Sequence, residues 1–248
     1  MTPWKSCRPM AAAKTLAAIL VLAFSSLAAN AQALSVVPVN LFLSPGQKAT
    51  SLTVTNRGNS EMALQTRAFT WSQKDGEDQL TATNNVVLSP PIVKMAPGAT
   101  QVIRIILRQA PENFEGAYRI LLDQIPPPAE AGVVHMVLRL SIPIFAQPAI
   151  RAFADVQFHL EYKNGQIDLV GMNVGNIHEK IRDIVLITSD GRKLKADSNV
   201  PPYLLSGATR RWHIPVEKTQ TAPSGTMQLT AHMDAGAIDE QVRFVPGP

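Results

Sequence analysis

Residues 133–145 read VVHMVLRLSIPIF. The even positions, Val134, Met136, Leu138, Leu140, Ile142 and Ile144, are all apolar. The odd positions mix His135, Arg139, Ser141 and Pro143 with Val133, Val137 and Phe145. Alternation with a period of two marks a strand with one buried face. The stretch predicts a strand well beyond the usual length of about 5–6 residues. It has no interior glycine, and its proline sits near the far end. Proline lacks an N–H, so within sheets it is confined mostly to edges, strand ends and bulges. Such a strand can complete its own sheet, or it can be lent to the sheet of another protein.

Working outward, the chain reads as strands and turns. Residues 34–43 are extended and end at Ser44-Pro45-Gly46. Residues 49–55 alternate Leu52 and Val54 with polar neighbours and end at Asn56-Arg57-Gly58-Asn59. Residues 62–71 precede the turn-rich KDGED, and residues 86–95 are broken by Pro90-Pro91. Residues 101–107 and 117–125 are two further strands, and Pro126-Pro127-Pro128 opens the loop before residue 133. The pattern restarts past residues 147–151, with shorter predicted strands at 156–160, 167–174, 181–188, 210–215, 227–232 and 242–245. Short strands with turn signals at this spacing predict an all-β chain of two β-sandwiches, the second smaller. No helix-length amphipathic run and no internal repeat is evident.

The first residues carry Lys5, Arg8 and Lys14, an apolar run over 16–27, and Ala29-Asn30-Ala31. That is the pattern of a signal peptide, 1–31, cleaved on export; its apolar run falls short of the ~20 residues of a spanning helix. The expected domains are therefore 32–148, carrying the long strand, and 149–248. No later segment is apolar enough for stable membrane insertion. Removing the leader's three basic residues from the formal net charge of +4 leaves +1, so the high pI gives no case for nucleic-acid binding. The single cysteine, Cys7, also lies in the leader. The exported chain then has no disulfide, thiolate catalyst or cysteine metal site.

Chemistry-bearing motifs are sparse. His135, His159, His178, His213 and His232 stand at no metal-ligand spacing, so no metal site is expected. Asp75-Gly76-Glu77-Asp78 lacks the spacing and terminal Glu of a calcium loop and predicts a hairpin turn. No nucleophile elbow, phosphate loop or dinucleotide fingerprint occurs, and neither catalysis nor a cofactor is expected. A secreted β-sandwich enzyme would need clustered acid–base residues.

Several strings resemble one family when taken in order. They are Pro97-Gly98 with Gln101-Val102-Ile103-Arg104, the run from Tyr118-Arg119-Ile120 to Gln124-Ile125-Pro126, and Ser141-Ile142-Pro143-Ile144-Phe145 before Pro148. Asn173-Val174-Gly175-Asn176, and Tyr203-Leu204-Leu205-Ser206-Gly207 with Trp212, complete the set. Together they resemble the periplasmic pilus-assembly chaperones of the chaperone–usher pathway. Trp71-Ser72-Gln73 with residues 75–78 is most similar to the archaic or alternative branch. The resemblance implies two immunoglobulin-like domains in an L or boomerang shape. It implies a chaperone that holds pilus subunits and delivers them to an outer-membrane usher. The means is donor-strand complementation, in which the chaperone's strand completes the subunit's unfinished fold. The implied donor ridge is Val134, Met136, Leu138 and Leu140, continuing to Ile142.

The chain also departs from the family. Many members anchor the subunit's terminal carboxylate with an Arg in the first strand and a Lys in the donor strand. Those positions align with Asn40 and Pro143. The resemblance therefore leaves Asn40 as an uncharged donor and turns attention to Arg104, Arg119 and Arg139 as replacement anchors. A rival reading is a structural or adhesive subunit built from immunoglobulin-like domains. Such a subunit would usually carry an N-terminal donor extension, whereas the first predicted strand here follows the leader directly.

Overall fold

The structure, a computed structural model, describes residues 34–128, 132, 136–163, 165–197, 201–216 and 225–245. The leader 1–31 and Val134 lie outside the described residues. The first half contains β1 (Leu34–Val37), β2 (Leu41–Leu43), β3 (Ala49–Asn56), β4 (Met62–Lys74) and β5 (Glu77–Ala82). It continues with β6 (Val86–Ser89), β7 (Ile92–Met95), β8 (Thr100–Leu107), β9 (Gly116–Ile125) and β10 (Arg139–Ala146). The second half holds β11 (Val156–Lys163), β12 (Gln166–Asn173), β13 (Glu179–Ile187) and β14 (Lys193–Lys195). It ends with β15 (Tyr203–Leu204), β16 (Thr209–Ile214), β17 (Thr226–Met233) and β18 (Gly236–Val245).

Two sheets face each other in the first domain. One runs β1-β3-β8-β6; the other runs β2-β10-β9-β4-β5, with β7 added on β4. Alternation fills the space between them. Leu52 and Val54 from β3 and Ile103, Ile105 and Leu107 from β8 meet Leu64 of β4, Ile120 and Leu122 of β9, and Ile142 and Ile144 of β10. Each buried side chain of this size contributes roughly 1.5–3 kcal/mol. The second domain pairs its strands in the order β14-β13-β17-β18-β11-β12-β16, with β15 on β13. Its core around Leu160, Leu169, Leu186, Trp212 and Leu229 is continuous with Trp71 and Phe145 of the first domain.

Several expectations are refined. Residues 34–43 form two strands, because the chain bends at residues 39–40 after Pro38. The expected long strand begins at Arg139; Met136, Val137 and Leu138 precede it. The 75–78 segment turns at Asp75 and Gly76, both at positive φ (54° and 84°), as an Asp-Gly hairpin requires. It leads into β5, which the sequence reading missed because all six of its residues are exposed and carry no apolar period. The short β14 and β15 were missed as well.

A repeated turn also escaped the sequence reading. Asn56 is fully buried; its Nδ2 donates to the carbonyls of Ser60 (2.8 Å) and Met95 (3.0 Å), and its Oδ1 accepts from the Gly58 N–H. Asn173 of the second domain is equally buried and repeats the arrangement with Ile177 (2.8 Å), Leu204 (3.1 Å) and the Gly175 N–H. The shared Asn-x-Gly-Asn string was its only signal. Gly175 is also fixed by packing, since a Cβ there would stand 2.5 Å from the Phe153 carbonyl oxygen. The neighbouring Asn176 N–H donates to that same carbonyl at 2.9 Å, which holds the strand-free connection between β10 and β11 against the second domain.

Candidate functional site

The site is organised by β10. It pairs antiparallel with β9 along its whole length, Arg139 opposite Asp123 through Ala146 opposite Gly116. Just before β10, the Gln124 N–H donates to the Leu138 carbonyl at 2.9 Å. Antiparallel neighbours alternate between hydrogen-bonded and non-bonded pairs. Leu140, Ile142 and Ile144 therefore direct their backbone groups at β9, and Arg139, Ser141 and Pro143 direct theirs at the opposite edge. On that edge β2 pairs in parallel, but only with Ile144, Phe145 and Ala146. Among the described residues no strand pairs with Arg139 to Pro143 there.

The side chains follow a gradient. Ile144 and Ile142 (3 % exposed) lie in the domain's own core, and Leu140 is half-buried against it. Leu138 is partly exposed, and Met136 is 81 % exposed. The apolar ridge thus leaves the core as it runs toward residue 136, beside a free backbone edge. Val137 is exposed as well.

The other face of β10 carries the charges. Arg139 donates to one oxygen of Asp123, and Arg67 of β4 donates to the other through Nε (2.9 Å) and a terminal nitrogen (2.7 Å). Partial burial pushes the Asp123 carboxyl up. The hydrogen bonds from Arg139 and Arg67 outweigh it and hold the group below its usual value. Arg104 sits on the outer face of the β1-β3-β8-β6 sheet, opposite Ser51 and Ser89, so that sheet separates it from β10.

Arg119 is placed differently. It stands opposite Pro143 in the β9–β10 register, with its guanidinium 3.6 Å from the Trp71 ring centroid. Burial lowers its pKa, opposed by Asp78 at 4.0 Å. Asp78 is already held at 2.6 Å by Arg210, a buried residue of β16. One carboxylate faces two guanidiniums, which leaves an excess positive charge. Tyr203 of β15 lies beside this charge and donates its hydroxyl to Asn40 Oδ1 at 3.0 Å. Burial raises the Tyr203 pKa. Lys180 of β13 lies 5.3 Å from the Tyr203 ring and 3.7 Å from Asp234. The structure therefore brings Asn40 and Arg119 together around Tyr203, and leaves Arg104 and Arg139 outside that group.

An aromatic stack completes the seam between the domains. Phe145 stacks on His178 at 3.5 Å, Phe42 lies 5.8 Å from Phe145, and Trp71 meets Tyr203 edge-on at 5.4 Å. His178 Nδ1 lies 2.7 Å from Glu115 of the first domain, whose carboxylate also accepts the His178 backbone N–H. Tyr203, Lys180 and His178 were not singled out as site residues, because only the fold brings them to β9 and β10. Among the described residues no group of His, Cys, Asp and Glu forms a metal cluster.

This arrangement is that of a two-sandwich protein with an open strand edge. Residues 33–151 match the family described as pili and flagellar-assembly chaperone, PapD N-terminal domain. The match covers the first domain, just under half of the chain, and the fold of the whole chain is that of solved pilus-assembly chaperones. The chain is 27 % identical to the chaperone protein PapD of Escherichia coli over 96 residues, which are 37 % of this chain and span 40 % of that protein. Among solved structures it is similar to one from the CsuC–CsuE chaperone–tip adhesion subunit complex of the archaic Csu pili of Acinetobacter baumannii. That likeness has a TM-score of 0.62 at 18 % identity and covers 87 % of this chain and 100 % of the other. A chain from the Salmonella enterica SafA pilin–SafB chaperone complex matches with a TM-score of 0.58 at 13 % identity, over 86 % of this chain and 96 % of that one.

Proposed function

We propose that this protein is a periplasmic chaperone, exported by the leader 1–31, that captures pilus subunits and hands them to an outer-membrane usher. The domain spanning 32–148 supplies the donor segment, and the domain spanning 149–248 closes the seam behind it. The observation that carries the reading is the pairing of a free backbone edge with an apolar ridge that leaves the protein's own core along β10. A subunit lacking one strand presents the complement, a groove and an unpaired edge, which a lent strand closes at once. Met136, Leu138 and Leu140, with Val134, form the donor ridge. Ile142 anchors the strand at home.

The subunit's terminal carboxylate binds beside Arg119, with Asn40 and Tyr203 as neutral neighbours. The charge left over from the Asp78 arrangement supports this choice. Arg139 is already engaged by Asp123, and Arg104 stands behind the other sheet. The work done is binding, and no catalytic step or cofactor is assigned.

Leu138→Asn tests the reading. A polar group placed in the subunit's groove would lose its water without a partner, which costs on the order of 1–3 kcal/mol. A tagged variant should fail to bring a subunit out of the periplasm while its melting temperature stays at the wild-type value. A large fall in melting temperature would assign Leu138 to the domain's own core. Undiminished co-purification would remove it from the donor ridge.

A further inference from the structure

The inner face of β9 carries Tyr118, Ile120 and Leu122, all buried in the core, and then Gln124. Gln124 is buried as well, at 7 % exposed. Each of the last three stands opposite a residue of the β10 ridge. Ile120 faces Ile142, and Leu122 faces Leu140. One rung further Gln124 faces Leu138, since the Gln124 N–H donates to the Leu138 carbonyl at 2.9 Å. In a regular antiparallel pair the return bond runs from the Leu138 N–H to the Gln124 carbonyl. Here the Leu138 N–H donates to the Gln124 side chain, at Oε1, over 3.3 Å. The side chains diverge at the same rung. Leu140, beside Leu122, packs against the core cluster; among the described residues packed there, Leu138 is absent. On the far side of Gln124, Leu64 of β4 is fully buried. The rung is closed and apolar on one side of the amide and open on the other.

We infer that Gln124 is a positioning residue that bars Leu138 from the domain's own core and holds it at the edge for the partner. The inference rests on the donor reading given above and goes beyond it by naming what keeps the ridge available. Directly opposite residues of an antiparallel pair have neighbouring side chains. Leucine folded over Gln124 would cover an amide whose polar atoms need hydrogen-bond partners. An aliphatic residue at 124 would instead offer Leu138 a cross-strand apolar pair and draw it home. The subunit would then have to pull Leu138 out, and its apparent affinity would fall by the fraction of molecules in which Leu138 is free. The bond to Oε1 adds register: it fixes the backbone of Leu138 one rung before β10 begins.

Gln124→Met, close to glutamine in volume, tests this. In the free protein, relaxation of the Leu138 methyl signals by a soluble gadolinium chelate reads the exposure of that side chain. It should weaken about twofold or more in the variant, with the melting temperature at or above the wild-type value. Unchanged relaxation would show that Leu138 stays outside without the amide, and would overturn the inference. The second measurement uses the binary complex recovered from periplasm through a tag on the wild-type chain, challenged with untagged competitor. Gln124→Met should be needed at about fivefold higher concentration than untagged wild type to displace the tagged chain from the subunit. Equal competition would also overturn the inference. A variant that melts lower and competes worse, with Leu138 as exposed as before, would make Gln124 a structural residue only. Leu138→Asn serves as the control: if it competes as well as wild type, the donor reading itself fails, whatever Gln124→Met does.

Discussion

At the scale of single residues, the arginines near β10 differ in what already holds them. Arg139 and Arg67 share Asp123, and Arg119 sits over the Trp71 ring with only a distant share of Asp78. Arg119→Lys keeps the charge but removes the planar fork that suits a carboxylate. Titration with the subunit recovered by co-purification should give about tenfold weaker binding, or about 1.4 kcal/mol. Arg139→Lys should bind as wild type; equal losses in both would dissolve the distinction. Asp123 has its own signature in acid. Its folded-state pKa is depressed, so its contribution is fully present above the unfolded value of about 3.9 and is lost as pH falls through the lower folded value. Because Arg139 and Arg67 are both substantially exposed, that contribution is about 1 kcal/mol or less. The stability gap between wild type and Asp123→Asn, followed by urea unfolding, should be constant at neutral pH and close below about pH 4. A gap that survives in acid would assign the effect to packing instead of charge.

At the scale of the element, β10 divides its ridge between two tasks, and the division itself can be measured. Ile142 is buried and Leu138 is not. Ile142→Asn should cost about 3–5 kcal/mol of the free protein's stability, through the cavity and the buried amide together. Leu138→Asn should cost almost none, so the two melting curves should separate widely. A coincident pair would mean that the ridge is a single structural unit. The alternation of β10 was legible in the sequence because period two survives any surroundings, and the same holds for β3, β8 and β9. Where along β10 the ridge leaves the core was not legible. That point depends on how far β2 and the facing sheet reach, which is a property of other segments. The exposed β5 had no apolar signal to read. The setting of Arg119 was hidden for a related reason: Asn40, Asp78, Tyr203 and Arg210 are remote in sequence and meet only through the fold. Arg119 itself was named from resemblance, and only the register opposite Pro143 placed it.

At the scale of the whole molecule, the β4–β5 hairpin is one of the first domain's holds on the second, beside Glu115 and Phe145. Gln73 near its tip donates to the Tyr203 carbonyl and accepts the Leu205 N–H, both at 2.9 Å. Asp78 on the returning strand holds Arg210. Arg210 is 3 % exposed, and its Nε has no hydrogen-bond partner in the structure, so Asp78 is its principal compensation. Removing one member of a buried ion pair strands the other charge, whereas replacing both with apolar residues of similar size is often neutral or better. Asp78 is itself partly open to solvent, which moderates the loss. Asp78→Ala should therefore destabilise the protein by about 1–3 kcal/mol, short of the 3–5 typical of a fully buried pair. Adding Arg210→Met in the Asp78→Ala background should recover most of that loss, because the stranded charge is then gone. The cycle carries a functional reading too. Asp78 draws on Arg119 as well as Arg210, so Asp78→Ala should leave Arg119 freer to meet a carboxylate, and subunit binding should hold or tighten while stability falls. Subunit binding that weakens in step with stability would show that the hairpin's hold on the second domain, and not the charge beside Tyr203, governs capture.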